Sequence, residues 1–273
     1  MDFFSEPLSQ AFMVHALVAG TIVGGLCALV GVFVVQRGLA FIGDGLAHAA
    51  FGGIALGLLI EVAVENATLV ALPFTVLIAL GIAYVLRRGH VRGDVAVGVF
   101  FSVSLALGVL FLGLRPPEAP PVNIESVLFG SILAISPDDL WLVGGVAAAT
   151  VIMLGLTWSR LAYMTFDPEL AALSGVPVAS LEYMLLALVA VVIVVSVETV
   201  GIALVSSFIV IPAATASMVG RTLTRVALIS TALGVGGAAV GLLASYHLNV
   251  ASGATIILTL GLLFAVGLAV RRR

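Results

Sequence analysis

Asp44 and His48 stand four residues apart in the run Gly43-Asp44-Gly45-Leu46-Ala47-His48-Ala49-Ala50. On an α-helix, residues i and i+4 share a face, so this spacing sets a carboxylate beside an imidazole. Donors of these two kinds suit zinc or manganese: carboxylate favours the harder ion, imidazole the softer one. Two ligands do not close a tetrahedral site, so a metal held here must recruit others. For an ion that has to leave again, that incompleteness is tolerable. The same residues fit a structural alternative, in which Asp44 caps the start of a helix and His48 is its hydrogen-bonded partner. Glu198, within Ser196-Val197-Glu198-Thr199-Val200-Gly201, is a second candidate: it could line a pathway, bind a cation or cap a break between two helices. His15 and His247 fall near the ends of apolar runs, where each could meet an arriving ion or simply be solvated. His90 lies in a basic loop and reads as structural. Cys27 is the one cysteine and sits in an apolar run, which excludes an intrachain disulfide and a cysteine-based metal cluster. There is no Walker A glycine loop, no HExxH pair and no GxSxG elbow, so the chain shows no means of hydrolysing ATP.

The elements that must carry these residues follow from composition. The chain has 273 residues, of which 62% are hydrophobic and 9% charged, and its mean hydropathy is +1.30. A soluble domain is about 45–50% apolar and about 25% charged. A water-facing surface of this composition would be greasy, so a bilayer must solvate most of the side chains. The net charge of -3 points to no nucleic-acid partner. The N-terminal MDFFSEPLSQ is acidic and lacks the basic start of a secretory leader, so no cleaved signal is expected.

A spanning helix takes about 20 mostly apolar residues. The runs between charges predict an all-α bundle of nine such helices: 12–35, 40–60, 67–86, 95–114, 138–158, 180–197, 202–219, 226–246 and 252–270. Residues 180–219 as one helix would reach about 60 Å, twice the bilayer core, so a break is required near Glu198 and Gly201. Merging two elements would give eight spans. The arginines test the count. Arg37, Arg87, Arg88, Arg92, Arg160, Arg221, Arg225 and Arg271–Arg273 all follow odd-numbered helices, and only Arg115 follows an even one. The positive-inside rule then sets the N-terminus outside and the C-terminus in the cytoplasm, and merging two helices would spoil the agreement. The acidic Glu61, Glu65, Glu118, Glu125, Asp138 and Asp139 fall on the outer side, where they would concentrate cations modestly or serve as ordinary surface.

Two connections stand out. Residues 115–126 are proline-rich and outside, and the apolar stretch 127–135 after them is too short to span, so it reads as re-entrant or interfacial. On the cytoplasmic side, Asp167 suits an N-cap, Pro168 the first helical position and Glu169 the positive helix end, while Gly175 and Pro177 mark a stop. A helix of about two turns therefore lies within 165–176 and offers Phe166, Leu170 and Leu173 on one side. An interfacial connector is the plainer alternative. Most of the 30 glycines lie inside the spans, where they let helices approach closely.

The segment Phe41–Gly53, with its D-x-x-x-H-A core, resembles the ABC-type zinc/manganese/iron permeases, the ZnuB- and MntB-like group. Leu128-Phe129-Gly130-Ser131-Ile132-Leu133 is similar to that family's LFGxxL stretch. Phe166-Asp167-Pro168-Glu169-Leu170-Ala171 followed by Gly175 resembles its cytoplasmic coupling element. Val200-Gly201 through Ala216 looks like its VGxxLVxxxxxxPAATA signature, and Ser252–Ile256 is similar too. The matches run in order through nearly the whole chain, read as one permease domain over 1–273. The resemblance implies a homodimer in the inner membrane of a prokaryote with the path at its centre. It also implies an ATPase subunit docked on 165–176 and an extracytoplasmic metal-binding protein that delivers the ion. Asp44 and His48 match positions that coordinate the travelling zinc, manganese or iron ion, and no permanent cofactor is implied. Glu198 stands where the family pattern leads one to expect an uncharged polar residue such as Gln. Transport would run by alternating access, with ATP hydrolysed by the partner. A proton-coupled carrier using Asp44, His48 and Glu198 as a relay is the main rival, but it has no need of the capped cytoplasmic helix. An intramembrane metalloenzyme lacks a third ligand and a base, and a siderophore or cobalamin path would want a wide lumen rather than a charged pair.

Overall fold

Apolar runs of about twenty residues leave the backbone one economical way to satisfy its hydrogen bonds in lipid, the α-helix. The structure, a computed structural model, describes residues 9–63, 66–89, 91–116 and 135–271. Its helices are α1 (Ala11–Gln36), α2 (Ile42–Leu59), α3 (Thr68–Arg87), α4 (Gly93–Gly113), α5 (Pro137–Phe166), α6 (Pro168–Leu173), α7 (Val178–Val200), α8 (Ile202–Val219), α9 (Leu223–Leu248) and α10 (Ser252–Arg271). Among the described residues 9 of these are long and apolar enough to cross a membrane, all except α6. The apolar stretch expected at 127–135 falls, but for its last residue, outside the described residues. So do His90, Glu65, Glu118, Glu125, Arg272, Arg273 and the segment Leu128–Leu133.

The spans are not equivalent. In α1 and α2, 72% of the most apolar window is buried inside the protein, against 17% in α5 and 11% in α10. The core is therefore α1, α2, α7 and α8, with α3, α4, α5, α9 and α10 around it. Helix α1 packs on α8 and α9, and α2 packs between α3 and α4 while touching α7 and α8. Lipid tails are as apolar as leucine, so close van der Waals fit rather than hydrophobic exclusion holds such a bundle together. The contacts show it. A Cβ on Gly53 would come within 2.5 Å of the Ala71 Cα, and one on Gly24 within 2.7 Å of the Gly234 carbonyl oxygen. A Cβ on Gly31 would overlap the Ile209 carbonyl outright.

Side-chain bonds show which helix ends share a side. Arg37 after α1, Arg87 ending α3 and Glu182 in the first turns of α7 meet in one ionic group. Gln36 bonds Ser217 near the end of α8 at 3.1 Å, which brings that end to the same side. Gln10 donates to the Tyr246 hydroxyl at 3.0 Å, joining the start of α1 to the end of α9 on the opposite side. The expected break between the sixth and seventh spans is at Gly201, whose φ of 86° is strained for any residue with a Cβ.

One boundary differs clearly from expectation. The fifth span does not end near 158; α5 continues to Phe166, so Arg160 lies on the helix rather than after it. No glycine or proline interrupts residues 159–166, and Leu161 and Met164 are buried. The helix stops only where Pro168 denies a backbone donor. Its 30 residues reach about 45 Å, longer than a ~30 Å hydrocarbon core, and so can carry α6 clear of the lipid. Helix α6 starts with the Leu170 N–H donating to Asp167 Oδ1 at 2.8 Å, and the chain leaves it through Gly175 at φ 81°.

Candidate functional site

Helix α2 is built from small residues on three flanks. Gly45 lies against Val97 of α4, Gly43 against Ser206 and Ile209 of α8, and Gly53 against Ala71 of α3. Those contacts bury nearly all of α2. Asp44 is exposed and His48 half-buried, so together they form the polar stripe of an otherwise covered helix. Helices α2 and α3 run antiparallel, with Gly53 beside Ala71 and Gly57 beside Ala67. Counting along both from that contact, Asp44 lies about 10 Å inward of the Arg87 level at ~1.5 Å per residue.

The structural alternative for this pair does not hold in the form expected. Asp44 is in the first turn of α2 rather than at its N-cap, which is Phe41, and the helix start has no side-chain cap. The imidazole bonds the backbone of Asp44 instead of its carboxylate: Nδ1 lies 2.9 Å from the Asp44 carbonyl oxygen. A carbonyl only accepts, so Nδ1 carries the proton, and in the neutral ring Nε2 is left with a free lone pair. The ring also meets Phe101 edge to face, with centroids 4.6 Å apart. The imidazole is therefore pinned by a hydrogen bond and an aromatic wall, the arrangement that fixes a metal-ligating histidine.

Two grooves open beside Asp44. One, of about 270 Å³, is lined by Phe41, Asp44, His48, Asp94, Gly98 and Phe101. The other, of about 450 Å³, is lined on the α8 side by Ser206, Ser207 and Val210, with Ile257 of α10. Asp94 is a residue that sequence reasoning missed. It sits in the first turn of α4, where an acid usually reads as dipole complement, and only the packing of α4 along α2 brings it into the groove. Neither Asp44 nor Asp94 has a cationic side chain within ion-pair distance among the described residues. The groove therefore presents carboxylate oxygen and imidazole nitrogen. Among the described residues no three His, Cys, Asp or Glu side chains come close enough to hold an ion within one chain.

The other candidates lie elsewhere. Glu198 lies close to Thr68 at the start of α3 and near Asp139 at the start of α5, which puts it at the opposite end of the bundle from Arg37. His15 is half-buried on α1, and His247 packs its ring edge-on to Tyr246 at 5.4 Å. None of the three lines the Asp44 grooves. Of the residues picked for partner docking, Phe166, Leu170 and Leu173 are 68%, 50% and 85% exposed, while Ala171 alone anchors α6 in the protein.

A bundle of apolar spans thus carries a polar stripe left open on a core helix and a greasy helix projecting from one end, and the chain belongs to the ABC 3 transport family, whose model matches residues 9–271. It is a multi-pass prokaryotic inner-membrane permease subunit of ATP-binding-cassette type, not itself an enzyme; ATP hydrolysis lies in a separate subunit. The chain is 34% identical to the manganese transport system membrane protein MntC of Halalkalibacterium halodurans, over 97% of this chain and 89% of that protein. It is 30% identical to a Haemophilus influenzae membrane protein named for an iron transport system, over 97% and 92%. The solved structure titled PsaBC from Streptococcus pneumoniae in complex with Fab superposes with a TM-score of 0.83 at 30% identity, covering 97% of this chain and 94% of that one.

Proposed function

We propose that this permease imports manganese, with Asp44 and His48 as a transient way-station for the ion. The observation that carries the reading is the pinned His48 ring, on the same exposed stripe of a buried helix as Asp44, a carboxylate with no cationic partner among the described residues. Carboxylate-rich donor sets suit manganese, and the relatives named for manganese and iron transport support a first-row dication as cargo. The described residues of one chain supply too few ligands, which supports a homodimer in which a second copy faces the same path and completes the shell. The positive-inside rule puts the Arg37 side in the cytoplasm. The end of α5 and helix α6 then project into water with three uncovered apolar side chains, Phe166, Leu170 and Leu173, a docking surface for the ATPase subunit. An extracytoplasmic metal-binding protein delivers ions to the other side, where Glu198, His15 and His247 stand at the entrance. ATP-driven movement of α6 exposes the way-station alternately outward and inward.

The test is uptake by the complete transporter in liposomes, against a panel of manganese, iron(II) and zinc. Manganese uptake should dominate. Asp44→Ala and His48→Ala should insert and assemble normally yet lose uptake by about a hundredfold, the upper range for disturbing even an outer-shell metal contact. Normal uptake in both variants would remove the proposed ligands, and a preference for zinc would overturn the choice of cargo.

A further inference from the structure

A largely buried ionic group at the Arg37 end of the bundle is not part of the metal groove. Glu182 Oε1 accepts from Arg37 Nη2 at 2.6 Å, and Arg87 Nη1 approaches its other oxygen at 3.7 Å. The Glu182 and Arg37 side chains are only 12% and 14% exposed. Withdrawing such charges from water is costly, so a pair of this kind holds only while each partner satisfies the other. Glu182 lies about one turn into α7, Arg37 directly follows α1, and Arg87 ends α3. One carboxylate thus ties three spans together.

Its neighbours on each side give that tie a direction. Upstream, Val176 N–H bonds the Ala171 carbonyl of α6 at 3.0 Å, and the Ser174 side chain bonds Tyr163 of α5 at 3.0 Å. Helix α6 therefore feeds stiffly into α7 through Pro177. Downstream, residues 37–41 link Arg37 to the start of α2, where Asp44 occupies the first turn. The Arg37 contact is single-stranded: its Nη1 is buried and has no hydrogen-bond partner among the described residues.

We propose that Glu182 is the positioning residue through which movement of α6 reaches the metal way-station. It would pull α1 and the 37–41 linker as α7 shifts, while Arg87 holds α3 in step. This rests on α6 being the ATPase contact, and the experiment separates the two. The whole permease–ATPase complex is reconstituted in liposomes, and manganese taken up and ATP hydrolysed are measured together. Loss of the bound ATPase subunit in Leu173→Asp, with the permease still folded, tests the α6 reading. The ratio of ions moved to ATP hydrolysed tests Glu182. In Glu182→Gln, hydrolysis should persist while the ratio falls about tenfold, within the ~5–150-fold typical of coupling between sites. The swapped pair Arg37→Glu with Glu182→Arg should recover most of the ratio, and Arg87→Gln should lower it only two- to threefold. An unchanged ratio in Glu182→Gln would overturn the proposal. So would hydrolysis and uptake falling together with no recovery in the swap. If Glu182→Gln fails to assemble, the swapped pair and Arg87→Gln decide the matter by the same ratio.

Discussion

Removing the cap of α6 should loosen the ATPase without loosening the bundle. In Asp167→Ala the Leu170 N–H loses its 2.8 Å acceptor, and α6 has only six residues over which to absorb that loss. A lost N-cap costs about 1 kcal/mol, and the missing negative charge at the helix start about 0.3–1 kcal/mol more. A total of 1–2 kcal/mol shifts the equilibrium between ordered and disordered α6 by about 5–30-fold, and its ordered fraction by less. A docking surface ordered only part of the time binds its partner more weakly by that fraction, so the dissociation constant of the ATPase subunit should rise up to about tenfold. Only Ala171 of α6 is buried, so the thermal midpoint of the permease should not move. Asparagine caps nearly as well as aspartate and loses only the charge, so Asp167→Asn should weaken binding by about two- to fivefold at most. The assay is a titration of purified ATPase subunit onto immobilised, detergent-solubilised permease, beside a melting curve for each variant. Unweakened binding in Asp167→Ala would refute the reasoning. Equal damage in Asp167→Asn would show that charge, not capping, is what matters.

Other substitutions probe other layers. Leu173→Asp, at a side chain 85% exposed, should abolish co-purification of the ATPase while leaving the permease's melting curve intact. Gly31→Ala should destabilise the bundle by about 1–3 kcal/mol in a reversible unfolding titration, because its Cβ collides with the Ile209 backbone, which has nowhere to go. Gly144→Ala, at a helical glycine with nothing within 4 Å, should instead be neutral or stabilise by up to about 1 kcal/mol. Ser136→Ala breaks the capping box with Asp139 at the start of α5 and should cost about 1 kcal/mol in the same titration.

Much of this protein is legible in one dimension because the bilayer imposes one-dimensional rules. Nine apolar runs, the required break at Gly201 and the helix start at Asp167-Pro168 depend on nearest neighbours and on hydrocarbon thickness, and a reader of the sequence meets them directly. The pairing of Asp44 with His48 on one helix face is legible for the same reason. The form of that pairing was not. Whether an imidazole bonds the carboxylate or the carbonyl of the residue four before it depends on a rotamer, and Phe101, fifty-three positions away, selects it. Asp94 enters the groove only because α4 lies along α2, with Gly45 making room for Val97. Glu182 is unremarkable in the string until α1 and α3 bring their terminal arginines to it. Local periodicity and solvent set which segments become helices. Which charges meet is decided by how those helices pack, through contacts between residues remote in sequence that no window along the chain contains.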